Sequence, residues 1–156
     1  MDKLRRIVLR GIGSGGALAA ALAAGVLKPT QVLAAEWNKS AFEAKDLAGA
    51  LRGLNASNAA ESRDILFRAP DIAENGAVVP IDISSNIPNT TSIAVLVEKN
   101  PNALAAYFDF TSGALPDVSL RLKLAQTSMV KVVVKADGKF YTVQKEVKVT
   151  VGGCGG

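Results

Sequence analysis

The sequence predicts a mainly β domain, an immunoglobulin-like antiparallel β-sandwich. One amphipathic helix stands ahead of it and a flexible C-terminal arm behind it. Three observations predict this. From residue 64 onward, apolar side chains recur at alternate positions in about seven short runs. Turn-forming pairs such as Asn100-Pro101 and Asp137-Gly138 separate the runs. The last run stops at Val151 and gives way to Gly152-Gly153-Cys154-Gly155-Gly156. A Cys…Trp…Cys framework is absent from the sequence, which separates it from antibody-type domains.

Along the chain, residues 1–34 read as an export leader. They contain Lys3, Arg5, Arg6, Arg10 and Lys28 against Asp2 alone, which accounts for the whole formal charge of +4. The remaining 122 residues balance at 13 basic and 13 acidic side chains. The basic pI therefore belongs to the leader and points to no nucleic-acid partner. Gly11 to Leu27 is uncharged and rich in Gly and Ala, Lys28-Pro29 follow, and Val32-Leu33-Ala34 offers a small-residue cleavage site. Paired arginines with a weakly apolar, Gly-containing core fit a twin-arginine signal. Leu4 and Val8 stand where that signal ordinarily has Ser or Thr and Phe. The apolar stretch is shorter than the ~20 residues of a spanning helix. A folded domain is thus expected in the periplasm, with no membrane attachment after cleavage.

Ser40-Ala41-Phe42-Glu43 has the capping-box form, and Phe42, Leu47, Leu51 and Leu54 fall on one helical face, so a helix is expected over about 40–52. Gly53 is its stop and 55–61 a loop. Residues 64–67 form the first strand candidate, and 71–76 read as a turn. Val79, Ile81 and Ile83 alternate with polar residues, and Pro80, lacking a ladder donor, suggests an edge. Ser92 to Glu98 and Leu104 to Phe110 are two further strands, the second carrying Tyr107, Phe108 and Phe110. Leu120, Leu122 and Leu124 alternate with Arg121 and Lys123. Val130, Val132 and Val134 alternate with Lys131 and Lys135, with Val133 as the apolar exception. Asp137-Gly138 signals a hairpin into a strand bearing Tyr141, Val143, Val147, Val149 and Val151 on one parity. Lys145 breaks that face, so a bulge or strand break is expected there. The lysines read as solvent face, and Lys131 and Lys135 as a stripe that could attract an anionic group on the tail.

The chain contains no histidine and one cysteine. Histidine acid–base catalysis, Ser-His-Asp and Cys-His nucleophiles, His-ligated metals and intramolecular disulfides are excluded. What remains is Cys154, centred among four glycines. Glycine's φ/ψ freedom makes Gly152, Gly153, Gly155 and Gly156 a flexible arm, and three extended residues span at most ~10 Å. The thiol can enter a narrow pocket of another protein. An unperturbed thiol has a pKa of ~8.5, and the tail carries neither Lys nor Arg after Lys148 to lower it. Such a thiol is suited to delivery, with activation supplied by whatever receives it.

The segment from Val147 through Gly156 resembles the C-terminal signature of the SoxY family, the sulfur-carrier subunits of the periplasmic Sox thiosulfate-oxidation system. Ile72-Ala73-Glu74-Asn75-Gly76, Val79-Pro80-Ile81, Glu98-Lys99-Asn100-Pro101 and Arg121-Leu122-Lys123-Leu124-Ala125 are also similar to segments of that family. The resemblance implies a carrier that is not itself an enzyme and has no resident cofactor or metal. Cys154 is then the covalent attachment point for sulfur, and Gly152, Gly153, Gly155 and Gly156 its arm. It implies pairing with SoxZ, a second small β-sandwich, and transient contact with three enzymes. These are the haem enzyme SoxAX, the hydrolase SoxB and, where present, the sulfane dehydrogenase SoxCD. The aromatic group 107–110 would then divide between core and SoxZ contact.

Two other readings compete. A ubiquitin-like carrier would bear sulfur on the carboxylate of Gly156, but needs ATP-dependent adenylation that an exported protein would not meet. An exported structural β-sandwich would dimerise through a Cys154 disulfide. A prenyl signal is excluded because Cys154 is third from the end.

Overall fold

The computed structural model describes residues 38–151. The leader expected over 1–34 and the arm 152–156 lie outside the described residues. Within them are two short helices, α1 (Lys39–Glu43) and α2 (Leu47–Gly53). Nine strands follow: β1 (Ala60–Glu61), β2 (Ile65–Arg68), β3 (Ile72–Asn75), β4 (Val79–Ser85), β5 (Thr90–Val97), β6 (Leu104–Asp109), β7 (Asp117–Leu122), β8 (Ser128–Ala136) and β9 (Lys139–Val151). A six-stranded sheet has the order β1-β9-β8-β5-β6, with β3 also paired to β9, and a three-stranded sheet has the order β2-β4-β7. The predicted β-sandwich is the fold observed.

Alternation builds the sandwich core. Ile93, Val95 and Val97 of β5 and Val130, Val132 and Val134 of β8 pack with Val79, Ile81 and Ile83 of β4. The opposite face of the large sheet is also covered. Ala94, Leu96 and Val133 point away from the sandwich into a second cluster, with Ala41, Ala50 and Leu54 of the helical segment. This explains Val133, the apolar exception to the alternation of β8: it sits beneath the helices. A strand covered on both faces loses its polar alternation, and β5 is accordingly buried continuously from Ser92 to Val97. The aromatic group divides in the same way. Tyr107 joins the helical cluster, while Phe108 and Phe110 pack against the sandwich core.

The helical expectation was one element over about 40–52, but the chain forms two. Ala44 is extended, and Asp46 opens α2 by accepting a hydrogen bond from the Gly49 amide at 2.5 Å. Asn38 rather than Ser40 caps α1, accepting from the Ala41 amide at 3.1 Å, while the Ser40 hydroxyl donates to Asn38 Oδ1. Both residue types are competent caps, and spacing alone does not rank them. Phe42, Leu47, Leu51 and Leu54 still share one cluster, so the apolar face was read correctly across the break.

Four expectations for the strands are corrected. Residues 72–75, read as a turn, form β3, and the end of the expected loop 55–61 forms β1. Both run parallel to β9, and partners 76 to 81 residues away leave no local period. β4 is the middle strand of its sheet. However, β2 covers only Asp82 to Ser85, so at Pro80 the strand has β7 as its one partner and a locally open side. The register of β8 with β9 continues through Val130↔Lys145 to Ser128↔Val147, without the bulge expected at Lys145. The Asp137-Gly138 hairpin is as expected, with φ +49° and +72°, the left-handed pair of a type I′ turn.

Gly53 joins the two helices. A Cβ there would lie 2.7 Å from Ala41 Cα and 2.8 Å from its amide nitrogen, and the Asn38 amide donates to the Gly53 carbonyl at 2.6 Å. Both obstructing atoms are backbone, so relief requires separating α1 from α2. Gly53→Ala is therefore expected to cost about 1–3 kcal/mol despite alanine's better helix propensity. Thermal unfolding followed by circular dichroism checks this: the midpoint falls, whereas propensity alone would raise it.

Candidate functional site

The site begins where regular structure ends. β9 pairs with β8 from Lys139 to Val147 and then outruns it. Its last four residues would be an unsupported ribbon without β3, which takes up the pairing as Ile72↔Lys148, Ala73↔Val149 and Asn75↔Val151. The Lys148 amide donates to the Asp71 carbonyl at 3.0 Å, and the Thr150 hydroxyl to the Glu74 carbonyl at 2.8 Å. The Val149 amide is held by Thr127 Oγ1 at 3.0 Å. At the end, the Gly76 amide donates to the Val151 carbonyl at 2.8 Å. Val151 therefore has a fixed position and exit direction.

Lys145 explains why β3 lies there. Its side chain shares the inward parity of Val143 and Val147, and is about one-third exposed. The ammonium donates to the Ala69 carbonyl at 2.6 Å and meets the Asp71 carboxylate at 2.8 Å. A cation that would disrupt an apolar face is thus used to dock the connection between β2 and β3 against β9. The hydrogen bond and charge of Lys145 hold the exposed Asp71 carboxyl below its ordinary value, with Lys148 adding to the effect.

A second set of contacts reaches Val151 from the other side. Asn100 Nδ2 donates to the Lys123 carbonyl at 2.7 Å, and Asn100 Oδ1 accepts from the Ala125 amide at 3.0 Å. Between those residues, the Leu124 amide donates to the Gly76 carbonyl at 2.7 Å, and Gly76 in turn holds Val151. The segments 72–76, 98–101 and 121–125, far apart in sequence, therefore converge on the root of the arm. Asn100-Pro101 was legible only as a turn. The clasp made by its side chain and the role of Lys145 were missed, because both depend on partners 23 to 76 residues away.

Cys154, Gly152, Gly153, Gly155 and Gly156 lie outside the described residues. Covalent geometry keeps the thiol-bearing residue within ~10 Å of Val151. Lys135 is remote from it: its partner Phe140 stands eleven residues, or ~36 Å, before Val151, whereas Lys131 pairs with Gln144, seven residues or ~23 Å before it. Lys135 instead lies 5.8 Å over the Phe140 ring. It helps line a cavity of about 170 Å³ with Tyr107, whose phenol burial pushes above its ordinary value. Of the lysines on β9, Lys148 lies nearest the root, three residues before Val151 and paired with Ile72. Among the described residues, no group of His, Cys, Asp or Glu is placed to hold a metal ion, and no helix is long and apolar enough to cross a membrane.

Comparison with known proteins places these features in context. The family model described as sulfur oxidation protein SoxY matches residues 52–154, which includes the cysteine. Among solved structures, the sulfur carrier protein SoxY from Chlorobium limicola f. thiosulfatophilum is 40% identical with a TM-score of 0.62, covering 72% of this chain and 99% of that one. The human F-spondin reeler domain aligns at 11% identity and a TM-score of 0.36, over 58% of this chain and 93% of its own, too remote to carry weight. No curated protein sequence matches the chain.

The Lys145–Asp71 contact gives a pH-dependent expectation. A carboxyl with a depressed folded pKa contributes stability above its unfolded pKa, and that contribution is lost as pH falls through the folded pKa. Carboxyl NMR should place Asp71 below the ordinary aspartate value, and Lys145→Met should return it there. Amide exchange at Lys148 should quicken as Asp71 protonates, and Asp71→Asn should abolish that acid dependence.

Proposed function

The chain belongs to the SoxY family, and from that premise we propose that it carries sulfur covalently on Cys154 during thiosulfate oxidation. The observation that carries this reading is the rooted end of β9. The strand is held at Val151 by Gly76 and β3, and the sole thiol of the sequence lies three residues beyond, between glycine pairs. The family match through residue 154 and the 40% identity to a sulfur carrier support it.

The chemistry follows from a bare thiol. Coupling thiosulfate to Cys154 forms a sulfur–sulfur bond and gives Cys–S–S–SO₃⁻, releasing the thiol proton and two electrons. The electrons go to a haem enzyme, SoxAX. Water then attacks the terminal sulfonate on SoxB. Sulfate and a proton leave, and a persulfide remains on Cys154. A sulfane dehydrogenase, SoxCD, would oxidise that sulfur further where it operates. The carrier contributes no acid, base or metal to these steps. Its sequence has no histidine, and the tail has no cation beyond Lys148. It contributes a thin chain of defined origin and short reach. SoxZ is the proposed stable partner. Residues 1–34 are the proposed twin-arginine signal, residues 35–151 the β-sandwich domain, 152–156 the arm and the periplasm the place of work.

Intact mass spectrometry of the protein from thiosulfate-grown cells tests this. Sulfur adducts that map to Cys154, vanish with reductant and are absent from Cys154→Ser are expected. A clean mass, or only a reducible homodimer, overturns the reading in favour of the structural one. Alkylation of reduced Cys154 should follow an ordinary thiol titration, half-maximal near pH ~8.5. A thiolate at neutral pH would contradict the unassisted thiol.

A further inference from the structure

Resting on the carrier reading, we propose that Ile72, Val78 and Val151 form an apolar rim around the root of the arm. The rim is the landing surface for the mouth of each enzyme channel that receives Cys154. The described chain exposes five large apolar side chains, and these three are 59%, 54% and 61% exposed. All three lie at the arm. Val151 is its last anchored residue, Ile72 opens the strand paired with 148–151, and Val78 follows the Asn75–Gly76 turn, where its amide reaches the Asn75 carbonyl. Ile72 pairs with Lys148 on the outward parity and Val151 continues the parity of Val149, so the rim occupies both faces of the β3–β9 ribbon.

The arm's length selects the occupant. Three residues separate Val151 from the thiol, a reach of ~10 Å. An enzyme whose reacting atoms lie at the bottom of a channel can meet the thiol only if the channel's mouth comes down onto the residues around Val151. Apolar side chains there would be covered on docking and uncovered on release, which suits a contact that must be both specific and brief. Net charge does not select the partner, because Asp71, Glu74 and Glu98 are interspersed with Lys99, Lys123 and Lys148. The other two exposed apolar residues provide an internal control. Leu66, 47% exposed, is on the outward face of β2, and Leu115, 84% exposed, is in the loop before β7.

The experiment uses the exported chain in complex with its SoxZ partner, with the thiosulfate-coupling haem enzyme as probe. Ile72→Ser with Val78→Ser should raise the KM for the carrier about tenfold or more, the effect of withdrawing two apolar side chains from a contact. The rate of Cys154 alkylation by iodoacetamide should be unchanged, because a small reagent needs no landing surface. Leu66→Ser with Leu115→Ser should leave KM as it was. Coupling of the rim variant at the unaltered KM overturns the proposal, as does an equal loss in the control pair. A dimer of the reduced wild-type chain that the rim variant lacks assigns the surface to a second copy, and also overturns it. If the wild-type chain takes up no thiosulfate, the carrier reading itself fails, an outcome distinct from the others.

Discussion

A strand that outruns its antiparallel partner must find new hydrogen bonds or fray. β9 continues four residues past the start of β8, and those residues are stabilised by a short parallel strand brought in from the opposite direction in sequence. Lys145 is the contact that brings it there. Placed on the inward parity, its ammonium can be satisfied only by polar atoms at the sheet's margin, and the Ala69 carbonyl and Asp71 carboxylate supply them. The placement of Val151 rests on that cation together with the β3 pairing.

The two-sided burial of the large sheet has a related consequence. With the β2-β4-β7 sheet on one face and the α1–α2 pair on the other, β5 and β8 are held rigidly along their length. A stiff platform then carries the root at Val151, and covalent geometry places Cys154, three residues on, no more than ~10 Å from it. The Asn100 clasp serves the same end from the other side, fixing the 123–125 segment that holds Gly76.

The charge distribution fits this division. The surplus arginines and lysines are confined to the first 34 residues, and the remainder is balanced. Near the arm, acids and bases alternate, while the apolar residues left in solvent concentrate there. On the proposed reading, in which several enzymes receive the arm in turn, a strong field that favoured one of them would bring little.

The sequence by itself determined the fold class, seven of the nine described strands, the hairpin at Asp137-Gly138, the apolar face of the helical segment and the chemical poverty of everything but the tail. These are legible because each is written within a few residues, as a period of two, a turn pair or a residue count. Tertiary structure decided what is not local. It split the helix at Asp46, turned Val133 toward the helices, set Tyr107 apart from Phe108 and Phe110, and made a strand of 72–75. It set Lys135 opposite Phe140, far from the end of β9, and gave Lys145 the Ala69 carbonyl and Asp71 carboxylate as partners, because neither position can be judged until the pairing of β9 is known. A side chain's role at long range is set by the partner that folding brings to it, and Lys145, a defect in an alternating pattern, becomes the tether of the arm for that reason.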